Sequence, residues 1–324
     1  MLENVIIIGG GPAGLSAAIY LARANLSPLV FAGSPPGGQL TLTSEVENYP
    51  GFESILGSEL IEKMRNQAKK FGTRIVDENV LKIHFGNGRD VINHVSTNNL
   101  KYQSKSIIIA TGAKALWLNL PSETRLRGKG VSACATCDGF FFREKTVAVI
   151  GGGDTALEEA LTLTKFAKKV YIIHRRDFFR ASKIMQERVK ENKKVEIIWN
   201  SMVEEILGDK KVEGVRLKKI VPLLHGSIVE NNETMKQLNN ETIVVDGVFV
   251  AIGHKPDTDL FKGHVEMEEK GYIKILERRS TSVKGVFVAG DCADKYYRQA
   301  ITSAGTGVEA ALEVEKYLEN LEAW

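Results

Sequence analysis

Two stretches of this chain repeat one short pattern: a β-branched run, a glycine-rich turn and a helix. The first spans residues 4–23 and reads NVIII, GGGPAG, LSAAIYLAR; the second starts at residue 146 and reads TVAVI, GGGDTA, LEEALTL. Each leads into a further apolar run, at residues 28–32 and 170–173. A strand that enters a helix through a tight turn and returns as a parallel strand is a βαβ unit. The repeat therefore predicts an α/β protein with two Rossmann-like dinucleotide-binding domains.

Length and composition narrow the class of protein. The 324 residues are enough for about two domains of ~150 residues each. The net charge of +3 and the lack of a long basic run give little support for nucleic-acid binding. No uninterrupted apolar stretch of about 18 residues predicts a membrane span, and the glycine turn follows the first apolar run too soon for a signal peptide. Three cysteines are too few for a disulfide framework, so we expect a cytoplasmic protein.

The first glycine motif is G-x-G-x-x-G at residues 9–14, between a predicted strand and a predicted helix. Glycines at these positions allow a tight turn, close approach of a pyrophosphate to the backbone, and close packing of helix and strand. The acid that usually ends the next strand and binds the ribose is missing, because FAGS (31–34) occupies that position. The motif therefore predicts a dinucleotide whose adenosine ribose is held in another way.

The second motif, at residues 151–156, reads G-x-G-x-x-A and is followed by a basic cluster. Its second strand has no acid at its end but three arginines and a histidine, namely His174, Arg175, Arg176 and Arg180. Guanidinium groups offer fixed donors for a 2′-phosphate, which favours NADPH over NADH. Two dinucleotide sites in one chain indicate a bound flavin and a diffusible nicotinamide, between which a hydride would pass.

A pair of cysteines three positions apart, Cys134 and Cys137, lies beside an acid in CATCDG (134–139). Zinc needs about four ligands, and a single C-x-x-C pair supplies half of them. A structural disulfide closing so short a loop would contribute little. A redox pair fits best, because one thiolate can attack a disulfide while its neighbour resolves the mixed disulfide, and Asp138 could move the protons released. The third cysteine, Cys292, has no partner in sequence and is expected to be a small buried residue.

Together these motifs resemble one known family. CATCDG, GGGDTALEEA, HRRDFFRA, GGQLTLTSEVENYPG and GVFVAGD…YRQAITSAGTG are similar to the motifs of low-molecular-weight, bacterial-type thioredoxin reductases, which are pyridine nucleotide-disulphide oxidoreductases. The resemblance covers essentially the whole chain. It implies a homodimeric enzyme with tightly bound FAD that passes electrons from NADPH, through the flavin and a dithiol, to thioredoxin.

The resemblance also implies domain limits and site residues. The FAD domain would be discontinuous, at 1–117 and 247–324, with the NADPH domain at 118–246 inserted into it. FAD contacts would be Gly9, Gly11, Pro12, Ala13, Gly14, Ala32, Gly33, Gly38, Gln39, Leu40, Asn48, Ala110, Thr111, Gly112, Gly290, Asp291, Arg298, Gln299 and Ala300. NADPH contacts would be Gly151, Gly153, Asp154, Thr155, Ala156, His174, Arg175, Arg176 and Arg180.

The resemblance assigns separate roles to the catalytic residues. Cys137 would take electrons from the flavin, Cys134 would attack the thioredoxin disulfide, and Asp138 would protonate a thiolate. The NADPH domain would rotate between half-reactions, about a hinge near residues 113–118 and 245–250. That rotation has a physical motive, since a nicotinamide and a disulfide cannot contact the same flavin face together.

Other readings stay open at this point. The chain could reduce another small redox carrier, or take electrons from ferredoxin or another donor, as relatives without nicotinamide motifs do. A further alternative is a non-enzymatic, nucleotide-binding redox sensor, whose disulfide would report its state to a partner and which would need no fast hydride transfer. The polar, Asn-rich segment 219–241 is longer than we expect for the family and is interpreted as a surface loop or hairpin.

Overall fold

The chain divides into two compact units, one of which is inserted into the other. The computed structural model describes residues 2–42, 45–86, 92–220 and 241–322. The first unit is discontinuous, Met1–Lys114 with Lys255–Trp324, and the second unit is Ala115–His254. Most of the predicted 219–241 loop lies outside the described residues. Across the described ranges, no helix is both long enough and apolar enough to cross a membrane.

The first unit is built on a largely parallel sheet. Its strands are β1 (Leu2–Ile8), β2 (Leu29–Phe31), β3 (Arg74–Val76), β4 (Lys82–His84), β5 (Asn93–Ser96), β6 (Lys101–Ile109) and β17 (Val286–Val288). The order is β3-β2-β1-β6-β5-β4, and β17 also pairs with β6. The long strand β6 pairs with three strands: with β1 along most of its length, with β5 antiparallel through its first half, and with β17 parallel through its last three residues. The four pairings that join β1, β2, β3, β6 and β17 to one another are all parallel.

Alternate side chains of this sheet enter two cores. On β1, Val5 and Ile7 pack in the cluster that contains the helices α1 (Pro12–Arg23) and α7 (Ala300–Glu322), while Ile6 and Ile8 pack on the opposite face. This is the two-residue period of a strand buried on both sides. A third helix, α2 (Gly57–Lys70), packs against α1. The apolar run at the start of the chain is thus explained by burial on both faces.

The second unit repeats the arrangement with five parallel strands. They are β8 (Val131–Ser132), β9 (Thr146–Ile150), β10 (Lys169–Ile173), β11 (Val195–Ile198) and β15 (Gly247–Val250). The order is β11-β10-β9-β15-β8. Because β15 pairs with β9, residues 247–250 belong to the second unit, although the expected boundary placed them in the first. The α/β fold class with two Rossmann-like units is confirmed.

Shorter elements complete the second unit and the links to it. The helices are α3 (Pro121–Leu126), α4 (Ala135–Asp138), α5 (Asp154–Leu163) and α6 (Lys183–Glu191). An antiparallel sheet contains β12 (Ser201–Leu207), β13 (Gly214–Lys219) and β14 (Glu241–Ile243). The two segments where the chain passes between units, β7 (Ala113–Ala115) and β16 (His254–Pro256), form a two-stranded sheet. Since β14 begins at Glu241, the last residue of the predicted loop is a strand residue.

Candidate functional site

Four strands of the first sheet end at one edge, and residues expected to bind FAD follow each of them. Because β1, β2, β6 and β17 run parallel, their carboxyl ends lie together. The segments that follow are 9–14, 32–33, 110–112 and 290–291. The strand order reverses here, since β1 is followed by β2 on one side and β6 lies on the other. This is the switch point at which open α/β sheets bind dinucleotides.

The glycines of the first motif are required for two different reasons, namely close packing and open space for a ligand. A methyl group on Gly9 would lie 2.0 Å from the carbonyl oxygen of Ala110, and one on Gly14 would lie 2.0 Å from the carbonyl oxygen of Gly9. Both therefore serve packing. Gly11 has an ordinary φ of −84°, and a methyl group there would meet no atom within 4 Å. Gly11 is the N-cap residue of α1, which begins at Pro12, and it offers no side chain to cap the helix. Its missing side chain leaves open the space before the helix N-terminus, as a bound pyrophosphate requires.

The difference between Gly11 and Gly14 gives a paired prediction. We expect Gly11→Ala to fold with normal stability but to bind FAD about tenfold more weakly or worse, because its methyl group occupies the open cradle. Gly14→Ala should instead lower the unfolding temperature, since helix and strand must separate. Flavin absorbance per protein and thermal unfolding of the apoprotein measure the two effects. Equal flavin content in Gly11→Ala and the wild type would contradict this use of the cradle.

Other residues expected to bind FAD are brought together from distant parts of the chain. The Asn48 Nδ2 donates to Gln299 Oε1 at 3.3 Å. Gly33 and Gly38 have positive φ, at +85° and +66°. These positions suit glycine because a side chain there would be strained. Arg298 adopts a left-handed φ of +49°, and its backbone N–H donates to the Asp294 carboxylate. The remaining members of the set, Gln39, Leu40 and Ala300, lie in or begin regular helical turns.

The loop after β17 is fixed by the first turns of α7. The Gly290 N–H donates to Thr306 Oγ1 at 2.9 Å, and the Ser303 hydroxyl donates to Asp291 Oδ1 at 2.7 Å. Burial raises the pKa of Asp291, and the bond from Ser303 opposes that rise. Cys292 is fully buried, its thiol donates to the Ala289 carbonyl oxygen at 3.2 Å, and burial raises its pKa to about 11. The expectation that Cys292 is a small buried residue is confirmed.

The turn after β2, where the ribose acid is missing, is stabilised by a residue that the sequence analysis did not identify. Asn79 Oδ1 accepts a hydrogen bond from the Ser34 N–H at 3.1 Å. Asn79 lies 45 positions away in sequence, so no local pattern could have indicated it.

The second unit presents an equivalent glycine turn before α5. A methyl group on Gly151 would lie 2.4 Å from the Ala251 carbonyl oxygen and 2.7 Å from the Ala156 methyl group. Gly153, like Gly11, has open space and begins its helix without a side-chain cap. The Asp154 carboxylate accepts from the Ser182 N–H at 2.9 Å. The turn therefore fits a second phosphate group on the same physical grounds.

The basic cluster lies directly against this turn. The Arg180 N–H donates to the Gly152 carbonyl oxygen at 2.8 Å, which joins the arginine segment to the glycine turn. Arg175, Arg176 and Arg180 are all exposed, and the Arg176 guanidinium lies 5.7 Å from the Phe178 ring centre. Three cations beside a helix N-terminus make this surface locally positive, which is the charge that suits an anion.

His174 is placed differently from the arginines. Its side chain is 5% exposed and packs against Phe179 and Trp199, with ring centres at 5.7 and 6.1 Å. A methyl group on Gly152 would lie 2.3 Å from the imidazole, so ring and glycine are complementary. Burial lowers the pKa of His174; a backbone hydrogen bond to Phe178 opposes this and the three neighbouring arginines add to it. A neutral, buried ring supports the turn, and its expected contact with NADPH stays a prediction.

The cysteine pair forms a disulfide at the start of α4. The Cα atoms of Cys134 and Cys137 are 5.3 Å apart. Cys134 caps the helix, and its Sγ accepts from the Cys137 N–H at 3.2 Å. The Cys134 N–H donates to Ser132 Oγ at 3.0 Å. Cys137 is exposed and Cys134 is half-buried. Among the residues that the structure describes, no group of three or more candidate ligands could hold a metal ion.

Two carboxylates lie close to the disulfide. Burial raises the pKa of Asp138, and a hydrogen bond with Ser132 opposes the rise. Glu159 of α5 accepts a hydrogen bond from the backbone N–H of Ala135, the residue after Cys134. Glu159 could not be identified from the sequence, because its position in α5 is that of an ordinary helical glutamate and its partner Ala135 lies 24 positions away.

Comparison with known proteins gives a consistent result. The family model described as pyridine nucleotide-disulphide oxidoreductase matches residues 3–307. A thioredoxin reductase from Rickettsia conorii is 50% identical over 97% of this chain and 98% of its own, and one from Streptomyces coelicolor is 46% identical over 99% and 95%. Among solved structures, a thioredoxin reductase from Streptococcus pyogenes is 41% identical, with a TM-score of 0.89, over 98% of this chain and 99% of its own. One from Giardia duodenalis is 42% identical, with a TM-score of 0.88, over the same shares.

These similarities extend over nearly the full length of both chains, and they agree with the two glycine turns and the redox-type disulfide. The resemblance found in the sequence motifs is confirmed. The chain belongs to the pyridine nucleotide-disulphide oxidoreductase family and, within it, to the thioredoxin reductases.

Proposed function

We propose that this protein reduces oxidised thioredoxin with electrons from NADPH, using bound FAD and the Cys134–Cys137 pair. The observation that carries the proposal is the disulfide at a helix start, in the same unit as a glycine turn flanked by arginines. The test is anaerobic NADPH oxidation by the flavin-loaded protein on addition of oxidised thioredoxin. Bleaching of flavin without further electron transfer to thioredoxin would favour another small redox carrier. A flavin that stays oxidised with NADPH would favour a ferredoxin-type donor.

The two units would hold the two cofactors. The open cradle at Gly11 and the loops at the edge of the first sheet suit FAD, and the turn at Gly153 with its arginines suits NADPH. The chemistry that these groups would supply when bound is a hydride from the nicotinamide and two electrons from the flavin, for reduction of the disulfide. The assignment of FAD and NADPH to these two units, the homodimer and the domain rotation stay predictions.

The chain's own residues would carry out the exchange with thioredoxin. After reduction, the Cys134 thiolate attacks the thioredoxin disulfide, forms a mixed disulfide and releases one thioredoxin thiolate. The Cys137 thiolate then attacks the Cys134 sulfur, restores the disulfide and releases the second thioredoxin sulfur as a thiolate, to which Asp138 would give a proton. The hydrogen bond from the Cys137 N–H to Cys134 Sγ favours Cys134 as the first nucleophile, since a helix N-terminus stabilises a thiolate.

Exposed aromatic side chains beside the disulfide supply a surface for a protein substrate. Phe140 is 51% exposed and Phe141 is 36% exposed. The Arg143 guanidinium lies 4.7 Å from the Phe140 ring centre. An apolar patch with a cation at its rim is typical of protein interaction surfaces, which supports a protein rather than a small thiol as the electron acceptor.

Asp138 should give the exchange a pH dependence. Because burial raises its pKa, Asp138 stays protonated to higher pH than an ordinary aspartate and can act as an acid there. As pH rises through that raised pKa the acid is lost, so the wild-type rate should fall. Asp138→Asn should react about 10²-fold more slowly, and its rate should not fall over this pH range. Single-turnover oxidation of the reduced protein by thioredoxin, followed against pH, measures the rate and its pH dependence. The same fall in rate with rising pH in Asp138→Asn would contradict the assignment.

A further inference from the structure

A carboxylate from a neighbouring helix contacts the backbone between the two cysteines. Glu159 of α5 accepts the N–H of Ala135, the first residue of α4. Ala135 is 1% exposed and lies in the hydrophobic core of the second unit, against which α5 also packs. Glu159 itself is half-buried. The bond joins the helix that bears the glycine turn to the helix that bears the redox pair.

We propose that Glu159 is a positioning residue for the redox pair: its carboxylate holds the first turn of α4, and its negative charge disfavours the thiolate at Cys134. Two effects then act on this sulfur in opposite directions. The Cys137 N–H donates to Cys134 Sγ and favours the thiolate. The partly buried negative charge of Glu159, which is bonded to the N–H of the next residue, Ala135, opposes it.

The other titratable groups on the packed elements are less well placed to act on Cys134 than Glu159 is. On α4 there is Asp138, which hydrogen-bonds with Ser132. On α5 there are Asp154, whose carboxylate accepts from the Ser182 N–H, and Glu158, which is exposed. The turn at residues 139–142 reads GFFF and has no titratable group. Exposed charges are screened by solvent, so we expect Glu158 to have little effect on Cys134.

The consequence concerns the direction of electron flow. Reduction of the disulfide takes two electrons and two protons and breaks the S–S bond. A group that destabilises the thiolate destabilises the reduced pair wherever that thiolate is populated, which makes the pair a stronger reductant. This consequence rests on the proposed function, in which the pair donates electrons to thioredoxin. The charge effect itself does not rest on that function and can be measured on the thiol directly.

The test is the pH profile of iodoacetamide alkylation of Cys134 in a Cys137→Ser background, where this thiol cannot form its disulfide. Glu159→Gln keeps an oxygen that can accept from Ala135 but removes the charge. We expect the midpoint of its profile to move to lower pH and the rate at pH 7 to rise about three- to tenfold. Glu158→Gln is the matched control, with the same charge change on an exposed position of α5, and should reproduce the parent profile.

A Glu159→Gln profile identical to that of Glu158→Gln would overturn the proposal, even if wild-type protein reduces thioredoxin normally. Conversely, failure of thioredoxin reduction with a shifted Glu159→Gln profile would contradict the proposed function alone. If Glu159→Gln does not fold, Glu159→Asp, whose side chain is one methylene shorter, moves the charge away from Ala135 and should give an intermediate profile. The absence of any shift in that variant would overturn the proposal.

The redox equilibrium of the two-cysteine protein with glutathione is a second measurement. At pH 8 it should favour the dithiol about three- to tenfold more in Glu159→Gln than in wild type.

Discussion

Replacing Cys137 with serine should abolish NADPH-driven reduction of thioredoxin while flavin stays bound. Without the second sulfur no internal disulfide can form, so electrons have no path from the flavin to Cys134, and a mixed disulfide with thioredoxin cannot be resolved. We expect turnover to fall by about 10⁴-fold or more, close to the rate without enzyme. Steady-state NADPH consumption with excess oxidised thioredoxin measures this, and the flavin spectrum shows whether the cofactor site is intact.

Cys292→Ala is the matched control for this experiment. Cys292 is fully buried in the core of the first unit and is no part of the disulfide. Its loss should lower stability by a small cavity effect and leave electron transfer to thioredoxin in place. Turnover that persists in Cys137→Ser would show that another acceptor route exists and would contradict the role given to the pair.

Removing the three arginines beside the second glycine turn should reverse the nucleotide preference. Each charge-assisted hydrogen bond to a 2′-phosphate contributes about 1.5–3 kcal/mol. The triple variant Arg175→Ala, Arg176→Ala and Arg180→Ala should therefore lose about 10³-fold or more in kcat/KM for NADPH. NADH lacks the 2′-phosphate, so its kcat/KM should change little. Steady-state kinetics with both nucleotides, at one ionic strength, measure the preference.

Arg188→Ala provides a control for this loss of positive charge. Arg188 is an exposed residue of α6 in the same unit. Its removal should leave the ratio of kcat/KM values for the two nucleotides near that of the wild type. An equal fall for NADPH and NADH in the triple variant would instead indicate that the arginines support the turn, as the Arg180 backbone bond to Gly152 already does.

The repeated strands and turns could be predicted because their physical causes are local. Residues 4–8 and 146–150 are β-branched apolar runs, and both are strands buried on two faces. The glycines at 9 and 14 could be identified from spacing alone, since the same tight turn excludes side chains wherever it occurs. The ends of elements are not local in this way: β6 starts as early as Lys101 because β5 pairs antiparallel with its first half.

By itself, the sequence determined that the chain has two βαβ units, a redox-type cysteine pair and an arginine cluster, since each is encoded within about thirty neighbouring residues. Only the tertiary structure placed Gly247–Val250 beside β9, Asn48 beside Gln299 and Glu159 against Ala135. The physical reason is that periodicity and turn chemistry act over a few residues, whereas these contacts depend on how separate elements pack. A glutamate on a helix has the same local pattern whether its carboxylate meets water or the N–H between two cysteines.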